Sequence, residues 1–211
     1  MNAAKLTDKI NTGYGKAADR IGKETCIYRP LSAFDLMMAM VGDILASFTQ
    51  NMEYSKFNKY GNSIWTGIFN ANLTEHGDYL VSEDGTWFIA AQQTHLPILM
   101  VQCNRKVDVL RVTQSDSYGA LEYSGNTPAA TTPLMQGWPA SVLQGTKGDK
   151  NPAGLPGDER IPWWVILLPV FSDIILKNGD VIKDDLGNTY IVSSPELTDL
   201  GWRITASLQV A

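Results

Sequence analysis

Cys103 and His95 form the first residue pair in this 211-residue chain that invites a catalytic reading, as nucleophile and base. A thiol beside an imidazole is the arrangement of a cysteine nucleophile. His95 precedes Leu96-Pro97 at the entrance of a strand, and the only other imidazole, His76, lies in the polar turn Glu75-His76-Gly77-Asp78. A buried thiol and an ordinary strand-end histidine account for both residues without chemistry. The chain has no Gly-x-Ser-x-Gly nucleophile elbow. Gly13-Tyr14-Gly15-Lys16-Ala17 superficially resembles a phosphate loop but lacks the glycine spacing, the leading strand and the hydroxyl that would hold a metal. The carboxylates at Glu83-Asp84 and at Asp180, Asp184 and Asp185 read as turn residues, and Asp184-Asp185-Leu186-Gly187-Asn188 does not follow a calcium-loop ladder. Glycosidic chemistry needs an acid and a base held about 5 to 10 Å apart, which spacing in a β-rich chain does not establish. Trp65, Trp87, Trp138, Trp163, Trp164 and Trp202 could stack on sugars, yet they fall in strand-like runs where packing is the default. No catalytic, cofactor-binding or metal-binding residue is assigned, and no cofactor is expected.

Composition narrows the partners. The chain is 44% hydrophobic and 18% charged, with net charge −5, so a packed globular protein is expected. Seventeen Lys and Arg in an acidic chain do not make a nucleic-acid coat, because phosphate neutralisation needs a positive surface. Two cysteines build neither a disulfide scaffold nor a four-cysteine zinc site. Cys26 and Cys103 stand 77 positions apart and read as two buried, reduced thiols, although the sequence leaves their pairing open. The first residues carry no apolar core of a signal peptide, and the apolar runs at 36–45 and 161–176 are interrupted by polar residues or prolines. Neither reaches the roughly 18 to 20 uninterrupted apolar residues that span a bilayer. A soluble protein made in the cytosol, with no membrane partner, is the expectation.

Residues 1–24 read as one or two short amphipathic helices, broken at Gly13 and Gly15 and stopped at Gly22. Cys26-Ile27-Tyr28-Arg29 reads as a strand ending at Pro30. Leu36, Met40, Ile44 and Phe48, with Met37, Val41 and Leu45, fall at helical spacing and predict a core-facing helix. From Tyr60 the period changes to two. Tyr79–Val81 and Thr86–Ala91 flank an Asp84-Gly85 hairpin turn, and strands follow at Ile98–Cys103 and Val107–Val112. Residues 124–160 hold five prolines and six glycines among the apolar anchors Leu134, Met135, Trp138, Val142 and Leu143. They predict an extended arm or lid that packs on something. Strands return at 161–175, at 181–192 and from Gly201 to Val210. The expected fold is therefore mainly β, an antiparallel barrel or sandwich, with N-terminal helices and a long Pro/Gly-rich loop. Residues 1–50 would form a helical arm and core helix, and 51–211 the β domain.

Two stretches echo each other at an offset of 102. Gly77-Asp78-Tyr79-Leu80 through Gly85 to Ala90 aligns with Gly179-Asp180-Val181-Ile182 through Gly187 to Val192. A remote duplication would produce this, but convergence of two hairpins on one turn chemistry is the simpler reading.

Leu176–Val192 followed by Thr198–Ile204 resembles the C-terminal β portion of tailed-bacteriophage neck proteins: head-to-tail connectors, stoppers and joining proteins. Gly77–Arg105 is also similar to proteins of phage structural-gene clusters, and together these stretches cover roughly half the chain. The resemblance implies a non-enzymatic virion subunit, made in the host bacterial cytoplasm. It would form a homo-oligomeric ring between the portal or adaptor and the tail proteins. DNA would pass through the lumen without sequence-specific binding, and net acidity would suit such a channel. The residues expected at interfaces are Tyr14, Arg20 and Arg29 of the N-terminal region and Met135, Trp138 and Leu143 of the loop. The alternative is a ligand- or carbohydrate-binding β module of a virion.

Overall fold

The computed structural model describes residues 3–34, 39–50, 61–93, 95–112, 131–145 and 163–209. Helix α1 (Ala3–Ile21) opens the chain. Strands β1 (Lys23–Tyr28), β2 (Met40–Thr49), β3 (Ile64–Ile68), β4 (Tyr79–Ser82), β5 (Gly85–Ala91) and β6 (Ile98–Cys103) follow. Then come β7 (Arg105–Val112), β8 (Thr131–Gln144), β9 (Trp163–Leu168), β10 (Val181–Asp184), β11 (Thr189–Thr198) and β12 (Gly201–Leu208). The mainly β expectation holds, and its form is two closed antiparallel barrels. Around the first the order is β1-β2-β3-β6-β5-β4, and around the second β7-β8-β9-β12-β11-β10.

The second barrel thus repeats the first strand for strand, and the pairing registers carry the repeat to single residues. Tyr28 pairs with Tyr79 as Leu110 pairs with Val181. Trp65 pairs with Met100 as Trp164 pairs with Ala206. Register shifts recur between Ile27 and Tyr28 and between Val109 and Leu110. They recur again between Ile89 and Ala91 and between Val192 and Ser194. Matching bulges extend the echo beyond the two hairpin turns to the order and pairing of both barrels. The register also moves the alignment. Trp87 stands opposite Leu80 and Tyr190 opposite Ile182, so these aromatics correspond and the second turn is one residue longer.

Three expectations are corrected. The helix is continuous through Gly13 and Gly15, and at Gly15 an added Cβ would stand 3.1 Å from the Asn70 Cβ, so a close approach uses the missing side chain. The predicted helix at 36–48 is strand β2 from Met40, residues 35–38 lying outside the described ones. Its period-four pattern 40/44/48 consists of even positions, which also line one face of a strand. Ala46 fills the missing even place, and Ile44, Ala46 and Phe48 belong to the first core. Strands β1 and β2 therefore close the first barrel with β3–β6, across the expected boundary at residue 50. The third correction concerns the loop, whose centre is the 14-residue strand β8. Pro133 is tolerated where the ladder to β7 shifts register, Pro139 pairs with Lys106 in the regular stretch beyond, and Gly137 supplies φ +68° in the bulge opposite Val107–Val109. The rest of the predicted loop, 124–130 and 146–160, lies outside the described residues.

One core fills the first barrel with Leu80, Trp87, Ile89, Ile98 and Met100. A larger core joins the second barrel to the outer face of the first, so that Tyr79, Phe88, Ala90 and Val101 pack with Val109, Trp138, Ile166 and Ile204. Tyr79 seals the junction by donating its hydroxyl to the Pro139 carbonyl (2.8 Å). No helix among the described residues is long and apolar enough to cross a membrane.

Candidate functional site

The charged side chains at the centre of the echo form two matching clasps. At the end of β1, Arg29 Nε and Nη2 donate to the two carboxylate oxygens of Asp78, each at 2.8 Å. The same guanidinium reaches the Leu73 carbonyl (3.4 Å) and Glu75 (2.9 Å). On β7, Arg111 Nε and Nη2 donate to Asp180 at 2.9 Å each, and Nη2 to the Ile175 carbonyl at 2.7 Å. Each aspartate also accepts a backbone N–H three residues upstream, from Glu75 (2.8 Å) and Lys177 (2.7 Å). Asp78 and Asp180 are 1% and 2% exposed. A buried bidentate pair of this kind fixes a loop with geometric precision. Each clasp ties the turn before β4 or β10 to the neighbouring strand, and it raises the guanidinium pKa through the hydrogen bonds to its aspartate. The sequence signal for the twin was the repeated Gly-Asp. Arg111, which completes it, was not singled out.

Asp184 centres a second polar cluster. It accepts from the Leu186 and Asn188 backbone N–H groups (3.0 and 2.8 Å), from Asn188 Nδ2 (2.9 Å) and from the Tyr190 hydroxyl (2.8 Å). Burial on its own would raise the Asp184 pKa, but these hydrogen bonds outweigh it and hold the carboxyl below its ordinary value. Burial, and then the contact with Asp184, pushes Tyr190 up to about 12. The cluster is a closed turn whose acceptors are used within the chain.

The expected interface residues separate. Arg20 is exposed and Tyr14 half-buried on α1. Arg29 is engaged in the first clasp. Met135 and Trp138, read as anchors of a surface arm, are 1% and 0% exposed and belong to the core of their own chain. Trp138 does serve an interface, the one between the barrels. Its indole N–H donates to the Ala33 carbonyl in the β1–β2 connection (2.7 Å), and its ring meets Tyr79 and Phe171 edge-on. Leu143 is half-buried in the wall of a cleft of about 510 Å³ between the barrels. Phe88, Leu99, Trp163 and Val165 also line that cleft, with Arg203 and Asp199 at hand.

Cys26 and Cys103 are free thiols, both half-buried. A hydrogen bond with Asp43, followed by burial, raises the Cys26 pKa, and burial raises that of Cys103. His95 sits in an exposed turn before β6 and Cys103 at the far end of that strand. At about 3.3 Å per residue the strand's ends lie roughly 17 Å apart, so the fold does not build the nucleophile–base pair. Among the described residues no three His, Cys, Asp or Glu side chains gather as a metal site requires. No family model, curated protein or solved structure matches the chain.

Proposed function

We propose that the chain is a structural subunit of a tailed-phage neck, forming a ring that joins the portal or adaptor to the tail and leaves a path for DNA. The observation that supports this reading is the use to which the charged and aromatic residues are put. Arg29, Asp78, Arg111, Asp180, Asp184, Tyr190 and Trp138 all serve to hold loops and to join two barrels. The product is a double-barrel scaffold whose charged and aromatic groups are spent on its own structure, which suits a subunit that works by docking. The resemblance of Leu176–Val192 and Thr198–Ile204 to phage neck proteins, and of Gly77–Arg105 to proteins of phage structural-gene clusters, supplies the setting. Light scattering tests it. A ring, or a monomer that assembles when portal and tail components are added, supports the reading. A monomer indifferent to those components overturns it.

The cleft favours a second reading, a ligand- or carbohydrate-binding module. Trp163 offers a ring surface there beside Asn62, Gln144 and Arg203. Glycan-dependent quenching of tryptophan fluorescence, abolished by Trp163→Ala, would establish it.

A further inference from the structure

The apolar row of helix α1 does not face the barrel that carries the helix. The row facing the barrel is Asn11, Gly15, Ala18 and Gly22. Asn11 Nδ2 donates to Asn72 Oδ1 (2.8 Å), Gly15 lies against Asn70, Ala18 is 1% exposed, and Gly22 abuts Ala46. Leu6, Ile10, Ala17 and Ile21, spaced 4, 7 and 4, form a different row, roughly a third of a turn round the helix. Its end residues Leu6 and Ile21 are 38% and 61% exposed. Lys5, Lys9, Lys16 and Arg20 repeat the same spacing one position earlier, so a basic ridge runs along the outer side of the apolar row. All four are exposed, and none is ion-paired among the described residues. An amphipathic helix folded only to cover its own barrel would turn this apolar row inward.

The β11–β12 hairpin of the second barrel carries the complement. Its residues 196–203 hold two carboxylates against one cation, Glu196 being ion-paired with Arg203 and Asp199 lying at the tip, whereas α1 holds four cations against two carboxylates. The β11–β12 hairpin ends in Leu197 and Leu200, 55% and 37% exposed, with Asp199 between them. The tip is fixed. Thr198 Oγ1 donates to the Gly201 carbonyl (2.7 Å) and accepts from the Leu200 N–H (3.2 Å). Gly201, at φ +117°, passes so close to the Leu168 carbonyl that an added Cβ would stand 2.6 Å from it. The hairpin tip therefore presents apolar side chains beside the carboxylate of Asp199, and α1 presents them beside cations.

We infer that the β11–β12 tip of one copy docks on the Leu6–Ile21 row of helix α1 of the next. Two different patches meeting head to tail make a heterologous contact, which closes into a ring or runs on as a filament. This rests on the ring reading and names the surfaces that build it. The test uses two full-length variants changed only at exposed positions, L6E/I21E and L197E/L200E, with unaltered circular dichroism and melting temperature as the folding control. Light scattering is expected to show an assembly for the unaltered chain, weakened by raising salt, and a single 23.2 kDa chain for each variant. An equimolar mixture of the two variants retains one intact pair of patches, so it should give a dimer and nothing larger. A mixture that stays monomeric overturns the head-to-tail pairing. An assembly that survives both changes overturns the docking surfaces and leaves the ring reading standing. An unaltered chain that is monomeric at every concentration overturns the docking, and portal and tail components then decide the ring reading separately. Binding of that monomer to anionic phospholipid vesicles, lost in L6E/I21E, would reassign the helix to a membrane surface and overturn the docking likewise.

Discussion

At the turn joining β4 to β5, Ser82 Oγ accepts from the Asp84 N–H (3.2 Å), and Trp87 beyond it stacks on Phe48 with centroids 4.0 Å apart. At the matching turn of the second barrel, Asp184 stands in the place of Ser82 and Tyr190 in the place of Trp87. A carboxylate-centred ring of four hydrogen bonds replaces the aromatic stack. The surrounding frame keeps its strand order and clasp, and its register apart from one extra bulge between Val107 and Val109. Barrel closure is thus set by the inward apolar positions, the matched bulges and the Arg–Asp pairs. The turns between them are free to take different chemistry. The same freedom shows at the surface. Tyr79 and Phe88 of the first barrel are buried against the second, whereas Ile191, which corresponds to Phe88, is only half-buried. One copy of the repeat has become the support of the other.

The largest expected effect lies where the barrels meet. Trp138→Ala removes a fully buried indole and its bond to Ala33, so it should cost about 3–5 kcal/mol in urea denaturation. Ile44 holds the matching place in the first barrel, opposite Thr25 as Trp138 is opposite Val107, but is only half-buried. Ile44→Ala should cost less, about 1–3 kcal/mol. Equal losses would mean that Trp138 fills its own barrel rather than joining the two.

Next come the clasps. Arg29→Ala and Arg111→Ala each leave a nearly buried carboxylate without its partner, so each should cost about 3 kcal/mol. The two losses should agree within about 1 kcal/mol if the clasps are equivalent. A wide gap in the denaturation midpoints would break the equivalence and show that one pair bears the fold alone. Lysine at either position keeps the charge but loses the two-pronged geometry, and should restore only part of the loss.

These clasps also mark the limit of what the sequence discloses. The hairpin at Asp84-Gly85 and the strands at Cys26–Tyr28, Ile98–Cys103, Val107–Val112 and Gly201–Leu208 follow from alternation and turn chemistry, which act over a few residues. β2 was hidden because its inward residues all fall on even positions, where a four-residue and a two-residue period coincide. β8 was hidden because Pro133, Gly137 and Pro139 signal a loop unless one knows that a paired strand can absorb them, the first two at bulges. The site needed more. Arg29 and Asp78 are 49 positions apart, Arg111 and Asp180 are 69, and barrel closure alone brings them together.

The polar turn should respond to acid where the aromatic one does not. The Asp184 pKa is lowered in the folded chain, so the stability it contributes is present above the unfolded carboxyl value, near 4, and is lost as pH falls through the folded value. Tyr190→Phe removes one hydrogen bond to this carboxylate and should cost about 1–2 kcal/mol at neutral pH. It should also shrink the loss of stability between pH 4 and lower pH, followed by thermal unfolding. Trp87→Phe in the first barrel should leave that acid limb unchanged. A steeper acid limb after Tyr190→Phe would place the main partner of Asp184 elsewhere in the turn.

The smallest effect tests the frame most sharply, because it concerns a shared defect. Trp65 and Trp164 occupy the same place in β3 and β9, and each meets the corresponding aromatic edge-on, Trp87 at 6.1 Å and Tyr190 at 5.4 Å. Both indole N–H groups are buried without a hydrogen-bond partner. An unmade buried hydrogen bond costs about 1–3 kcal/mol, and replacing tryptophan by phenylalanine removes that cost while giving up part of a ring's packing. The opposing contributions should leave Trp65→Phe and Trp164→Phe each within about 1 kcal/mol of the unaltered chain. The two changes should also shift the denaturation midpoint in the same direction, since the two sites share their place in the barrel and an edge-on aromatic contact. Opposite shifts would show that Tyr190 and the Asp184 ring have remade the second site, so that the repeat is one of backbone and no longer of side-chain packing.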